Sequence, residues 1–148
     1  MIHDDKSTSI LLLISDQQTR NYLCNLLSEN DLSPVLIGDQ KELLHVLKKK
    51  PFSTVLIDCE AITKNGVGII SKIKVGCRLS HIIVFCDKSH LADKQHREMI
   101  KEILGIGVYA CIMAPFEGWE VISLISYYSQ LKKKNHEGLG SKAKKNLL

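Results

Sequence analysis

Short apolar runs alternate along this chain with segments whose apolar residues recur at helical spacing. The first run, Ile10-Leu11-Leu12-Leu13-Ile14, is apolar at every position. That predicts a strand covered on both faces. Thr19, Leu23, Leu26 and Leu27 then fall on one helical face, and the helix is expected to stop near Asn30, ahead of Pro34. Val35-Leu36-Ile37 predicts a second strand, closed by Gly38. Asp39 and Glu42 predict a capping box, which opens a helix with the stripe Leu43, Leu44 and Leu47. Its last turn, Lys48-Lys49-Lys50, suits the negative end of the helix dipole, and Pro51 ends it.

Thr54-Val55-Leu56-Ile57 predicts a third strand running into Asp58. A loop to Gly66 is expected next, then a helix carrying Ile69, Ile70 and Ile73. Ile82-Ile83-Val84-Phe85 is the fourth strand. Ser89 is expected to cap a long charged helix that buries Ile100, Ile103 and Leu104 and closes at Gly105 and Gly107. Tyr109 to Met113 is the fifth strand, followed by Ala114-Pro115-Phe116 and a last helix burying Val121, Ile122, Ile125 and Tyr128. Five strands alternating with five helices predict an α/β fold. Each parallel return needs a crossover, so the sheet is parallel with helices on both faces. Ligands in such folds bind beyond the carboxyl ends of the strands. Ser15, Asp16, Asp58, Cys86, Asp87 and Ala114 are the residues this pattern brings there.

Length and composition narrow the class. The 148 residues suit one core. No apolar run exceeds the seven residues Val108–Ala114, and Met1 to Ser9 are largely polar, so neither a membrane span nor a leader is expected and the chain reads as cytoplasmic. The net charge of +4 is unevenly placed. Residues 132–148 hold six lysines against one acid, which makes them +5 and leaves the rest of the chain at −1. The expected organisation is an N-terminal arm over 1–8, one domain over 9–134, and a basic tail or linker over 135–148 that includes Gly138-Leu139-Gly140-Ser141.

Other chemistry is thinly represented. The five cysteines are odd in number and form no CxxC pair, so buried free thiols are expected rather than a disulfide framework. Cys59, Cys86 and Cys111 all lie near strand ends. A thiol redox or metal site there is the alternative, though spacing gives it no support. His90 and His96 are six apart, off any common helical face, and read as surface residues. No GxSxG, Walker-type loop or dinucleotide fingerprint is present, and Gly66-Val67-Gly68 is a lone glycine pair. An aspartate at a strand's end, such as Asp58, can also simply cap the next loop.

Two segments carry a resemblance to a known family. Ser53 to Asp58, with Gly66 eight residues on, and Gly107 to Phe116 resemble the third-strand and fifth-strand motifs of bacterial response-regulator receiver domains. The resemblance covers about residues 8–131. It implies a flavodoxin-like doubly wound (βα)5 fold with strand order 2-1-3-4-5, no enzyme activity of its own, and a phosphate-accepting aspartate at Asp58. It also implies a magnesium ion on two acids after the first strand, the acceptor carboxylate and a backbone carbonyl two residues later. Oxygen ligands of this kind suit a hard cation. Carried onto this chain, the metal set is Asp16, Asp58 and the Glu60 carbonyl, with Ser15 where the family has a second acid. Ile62 stands for a common proline, Cys86 for a hydroxyl residue, Cys111 for an aromatic residue and Ala114 for a lysine. Asp87, Lys88 and Lys64 are the residues placed to compensate.

A hydrogen bond to a charged group contributes roughly 1.5–3 kcal/mol. Losing the lysine and weakening the hydroxyl therefore forfeits on the order of 3–5 kcal/mol of phosphate-dependent coupling. A full switch needs about 5.5 kcal/mol. The resemblance thus implies a degenerate receiver that acts through protein contacts, with at most weak magnesium binding. The alternatives are a working phospho-switch with altered ligands, served by a histidine kinase, and a cofactor-binding flavodoxin-like domain. The implied partners are a histidine kinase or other signalling protein. A second copy would dock through the helix between the fourth and fifth strands, the fifth strand and the last helix. Trp119, Tyr127 and Tyr128 are candidate aromatic contacts in the last helix. Neither nucleic acid nor a membrane is expected as a partner. The segment from Cys86 to Ala114 is about six residues longer than the family's usual one.

Overall fold

The computed structural model describes residues 8–126. Five strands form one parallel sheet in the order β2-β1-β3-β4-β5: β1 (Thr8–Leu13), β2 (Leu32–Leu36), β3 (Thr54–Asp58), β4 (His81–Asp87) and β5 (Ala110–Ala114). The connecting helices are α1 (Gln17–Glu29), α2 (Gln40–Lys49), α3 (Cys59–Asn65), α4 (Gly68–Gly76) and α5 (Lys94–Ile106). The doubly wound flavodoxin-like architecture and its strand order are those expected. The chain divides into two compact units after Phe116, and residues 118–126 form a helix in the second. The N-terminal arm up to Ser7, Tyr127, Tyr128 and the lysine-rich tail lie outside the described residues. Among the described residues no helix is long and apolar enough to cross a membrane.

The central strands are apolar on both sides because both sides are covered. Leu11, Leu13, Val55, Ile57, Ile82 and Val84 join one buried cluster with Leu43 and Leu47 of α2, Ile69, Ile70 and Ile73 of α4, and Ile100 and Ile103 of α5. The alternate strand residues Ile10, Leu12, Leu56 and Ile83 are buried but belong to the opposite face, as do Leu23 and Leu27 of α1. The register sets Leu12 beside Leu56 and Leu56 beside Ile83, so the strand ends line up in one row.

Several local expectations change for identifiable reasons. The β2 strand starts at Leu32, with Pro34 inside it and opposite Ile10. An edge strand tolerates that missing N–H. The stretch after Asp58 is helix α3 and not a loop. Asp58 caps it and Ile62 keeps the N–H that a proline would lack. Ser89 does not open a long helix. Asp87 caps a short 3-10 turn over Lys88–Ala92, and Asp93 caps α5. Leu104 is 52% exposed instead of buried. Of the expected capping box of α2, the Asp39 half is present, its side chain accepting from the Glu42 N–H at 2.8 Å, while the Glu42 side chain accepts from the Gly38 N–H at 2.9 Å and not from Asp39.

Leu56 is fully buried at the middle of the sheet, whereas Val75 on α4 is 82% exposed. Leu56→Ala is expected to lower the unfolding free energy by about 2–5 kcal/mol. Val75→Ala should change it by less than about 0.5 kcal/mol. Urea unfolding of both variants checks the difference.

Candidate functional site

The carboxyl ends of β1, β3, β4 and β5 open onto a cavity of about 750 Å³. Asp16, Asp58, Cys59, Cys86, His90 and Ala114 are among its walls. Among the described residues that line it there is no lysine or arginine, while Asp16, Asp58, Glu60 and Asp87 all do. The cavity therefore presents carboxylates, sulfur and imidazole, and no side-chain cation of fixed charge.

Asp58 ends β3 and is 5% exposed. Three backbone N–H groups donate to its carboxylate. The Ser15 N–H is shared between Oδ1 and Oδ2 at 3.1 Å each, the Asp16 N–H reaches Oδ2 at 3.0 Å, and the Ala61 N–H reaches Oδ1 at 2.8 Å. The last of these is the N-cap bond of α3. The carboxylate thus ties the β1–α1 junction to the start of α3.

Asp16 is the N-cap of α1. Its Oδ2 accepts from the Thr19 N–H at 2.9 Å and the Thr19 hydroxyl at 2.7 Å. The hydroxyl bond, then the amide bond, hold its carboxyl below the ordinary aspartate value, and Arg20 adds a smaller pull against a slight opposing effect of burial. Ser15 contributes its backbone N–H to Asp58. Glu60 lies in the first turn of α3, where a carbonyl points along the axis to the N–H four residues on. Its side chain pairs with Lys64 at 3.8 Å, both largely exposed.

Asp87 accepts from the Ser89 N–H at 2.8 Å as the cap of the 3-10 turn. Its carboxyl is lowered chiefly by that amide bond, then by the Ser89 hydroxyl. Lys88 sits exposed in the same turn. Of the three residues placed to compensate, Lys64 is thus engaged with Glu60 and Asp87 with Ser89, and neither Lys64 nor Lys88 lines the cavity. Ala114 closes β5 opposite Asp87 and does line it, followed by a cis peptide to Pro115.

The cysteines differ from expectation. Cys59 and Cys86 form a disulfide with Cα atoms 5.2 Å apart, and both are buried. They are 27 residues apart in sequence. Parallel pairing of β3 with β4, Asp58 beside Phe85, is what brings them together. Cys111 stays a free thiol on β5, half-buried, with its pKa raised by burial. His90 also differs. It stacks on His96 with ring centroids 4.3 Å apart, because the 3-10 turn folds back over the start of α5. Two aspartates three residues ahead of two histidines, Asp87 with His90 and Asp93 with His96, were the available signal for those two caps.

The magnesium ion implied by the receiver resemblance can be tested against these bonds. The carboxylates of Asp16 and Asp58 are already engaged by backbone and hydroxyl donors, and the Glu60 carbonyl is committed to a helix. With Ser15 in place of a second acid and both Asp16 bonds falling on Oδ2, the set offers a hard cation Asp16 Oδ1 and an Asp58 carboxylate shared with three N–H donors.

No family model matches the chain. Among curated proteins it is similar to NtrX-like response regulators of Rickettsia bellii and Rickettsia conorii, 22% identical to each over 137 residues. The match covers 91% of this chain but only 27% and 28% of those proteins. Among solved structures it resembles NtrX from Brucella abortus in complex with ADP, with TM-score 0.73 and 16% identity over 88% of this chain and 29% of that one. It also resembles the receiver domain of the sensor histidine kinase PA1611 from Pseudomonas aeruginosa PAO1, which holds magnesium in its active-site cleft. There the TM-score is 0.68 and the identity 18%, over 82% of this chain and 97% of that one.

Because the Asp16 carboxyl is depressed in the folded state, its contribution to stability is present above the unfolded pKa and is lost as pH falls through the folded value. Thr19→Val removes the hydroxyl bond. Titration of Asp16 by NMR should then show its pKa moving up, and the acid loss of this contribution should begin at higher pH.

Proposed function

We propose that this chain, a receiver domain of the response-regulator type, serves signalling as an interaction module in which Asp58 drives little or no phosphate switch. One observation carries the reading. Asp58 is held as a structural cap by three backbone N–H groups, in a cavity that no lysine or arginine lines among the described residues. Phosphorylating one of its oxygens would forfeit either the Ala61 cap on Oδ1 or the Asp16 bond on Oδ2, together with half of the shared Ser15 bond. The phosphoryl group would arrive beside three further carboxylates, those of Asp16, Glu60 and Asp87, with Ala114 in place of a charged partner. Phosphoryl oxygens need cationic or strong N–H donors to stabilise them.

Magnesium binding at Asp16, Asp58 and Glu60 is weak or absent on this reading, because each group already has a donor or a helical role. The module is non-catalytic and works in the cytoplasm with a histidine kinase or another signalling protein. Self-association through α5, β5 and the last helix belongs to the same proposal. The chain spans about a quarter of the length of the curated relatives it matches.

Incubation with acetyl phosphate and millimolar magnesium, followed by intact-mass analysis, tests the reading. Less than about a tenth of the chain should gain a phosphoryl group, and the oligomeric state should not change. Stoichiometric gain that disappears in Asp58→Asn and alters self-association would establish a working switch instead.

A further inference from the structure

We propose that Cys59, Cys86 and His90 form, in the reduced chain, a binding site for a borderline-soft divalent cation of the Zn2+ class. The proposal stands on the cavity itself and does not depend on whether Asp58 accepts phosphate.

The three residues reach one point from separate elements. Cys59 opens α3, Cys86 lies near the end of β4, and His90 sits in the 3-10 turn. One ligand atom from each lies within 4.8 Å of the others. Two Zn–S bonds of about 2.3 Å at a tetrahedral angle set the sulfurs roughly 3.8 Å apart. Sulfurs on Cα atoms 5.2 Å apart can adopt that spacing by side-chain rotation, once the bond between them is reduced. Two thiolates and an imidazole suit zinc, and are poor ligands for magnesium. Three protein ligands with a side open to the cavity leave a fourth position for water or an incoming group.

The electrostatics of the cavity favour a cation. Asp16, Asp58, Glu60 and Asp87 line it with the sulfurs, and no lysine or arginine does so among the described residues. A divalent ion would be the largest local charge and would offset two thiolates. Binding has one local cost. The Asp87 N–H donates to His90 Nδ1 at 3.1 Å. Ligation through either ring nitrogen breaks that bond, since a metal on Nε2 moves the ring proton to Nδ1. Asp87 is exposed, so water can take over its amide.

The disulfide is the metal-free oxidised alternative of the same pair. Exchange with glutathione disulfide forms the Cys59–Cys86 bond, breaks the bond of the oxidant and releases two glutathione thiols. The sulfurs are then no longer thiolates, and the cation has no site.

Cobalt(II) is the probe, added to the reduced, metal-free full chain and then displaced by Zn2+. One equivalent should bring a thiolate-to-cobalt charge-transfer band and visible bands of tetrahedral coordination. Each of Cys59→Ser and Cys86→Ser should lose the charge-transfer intensity, while Cys111→Ser should keep it. His90→Gln should weaken binding by about tenfold or more. Zn2+ should also protect Cys59 and Cys86 of the unaltered chain from alkylation by iodoacetamide, a readout that needs no variant to fold. Chain oxidised by glutathione disulfide should bind no cobalt until it is reduced again. No charge-transfer band at one equivalent, a band that survives Cys86→Ser, undiminished affinity in His90→Gln, or alkylation unaffected by Zn2+ would each overturn the site.

Discussion

The carboxylate of Asp58 is the point on which this end of the fold depends. It sits at the end of a buried strand and gathers N–H groups from Ser15, Asp16 and Ala61. Those amides belong to turns that leave the sheet, where backbone donors otherwise have no ladder partner. One side chain therefore joins the exit of β1 to the start of α3. A charged acceptor forms stronger bonds than a neutral one, and burial leaves water little access to compete. Asp16 caps α1 from the same junction, so both acids that could have served a hard cation also serve helix starts.

This gives the cavity an uneven chemistry. Asp16 and Asp58 among its acids also cap helices, while its sulfur and imidazole groups hang from α3, the end of β4 and the 3-10 turn. Receiver-like geometry persists in the strand order and in the position of Asp58. Among the described residues no lysine or arginine lines the cavity, Ala114 offers a methyl group, and Cys86 is tied to Cys59.

Much of the fold was legible in the sequence because its signals are local. Five apolar runs separated by helix-length segments allow few topologies, and Asp39 with Glu42 marks the start of α2 directly. The missed features turn on competition or distance. Asp58 reads as a strand end, so the helix it caps was hidden behind the expectation of a loop. Ser89 is as good a cap by residue type as Asp87 and Asp93 on either side of it, and those two take the role. Leu104 sits beside Ile103 in the helical pattern, but one residue turns it about 100° off the buried stripe. The meeting of Cys59 with Cys86 comes from strand pairing across 27 residues, and no spacing rule contains it. The stacking of His90 on His96 needs the chain reversal between two caps.

The Cys59–Cys86 bond also changes the connectivity of the molecule. With it in place, α3 and α4 belong to a closed covalent ring whose two ends are the neighbouring strands β3 and β4. A backbone cut anywhere on that ring leaves one molecule instead of two fragments, and the strands on either side stay tethered at their carboxyl ends. The ring can only be parted by reducing agents together with a protease. In the oxidised chain the segment that carries α3 and α4 is held at both ends, next to the cavity it borders.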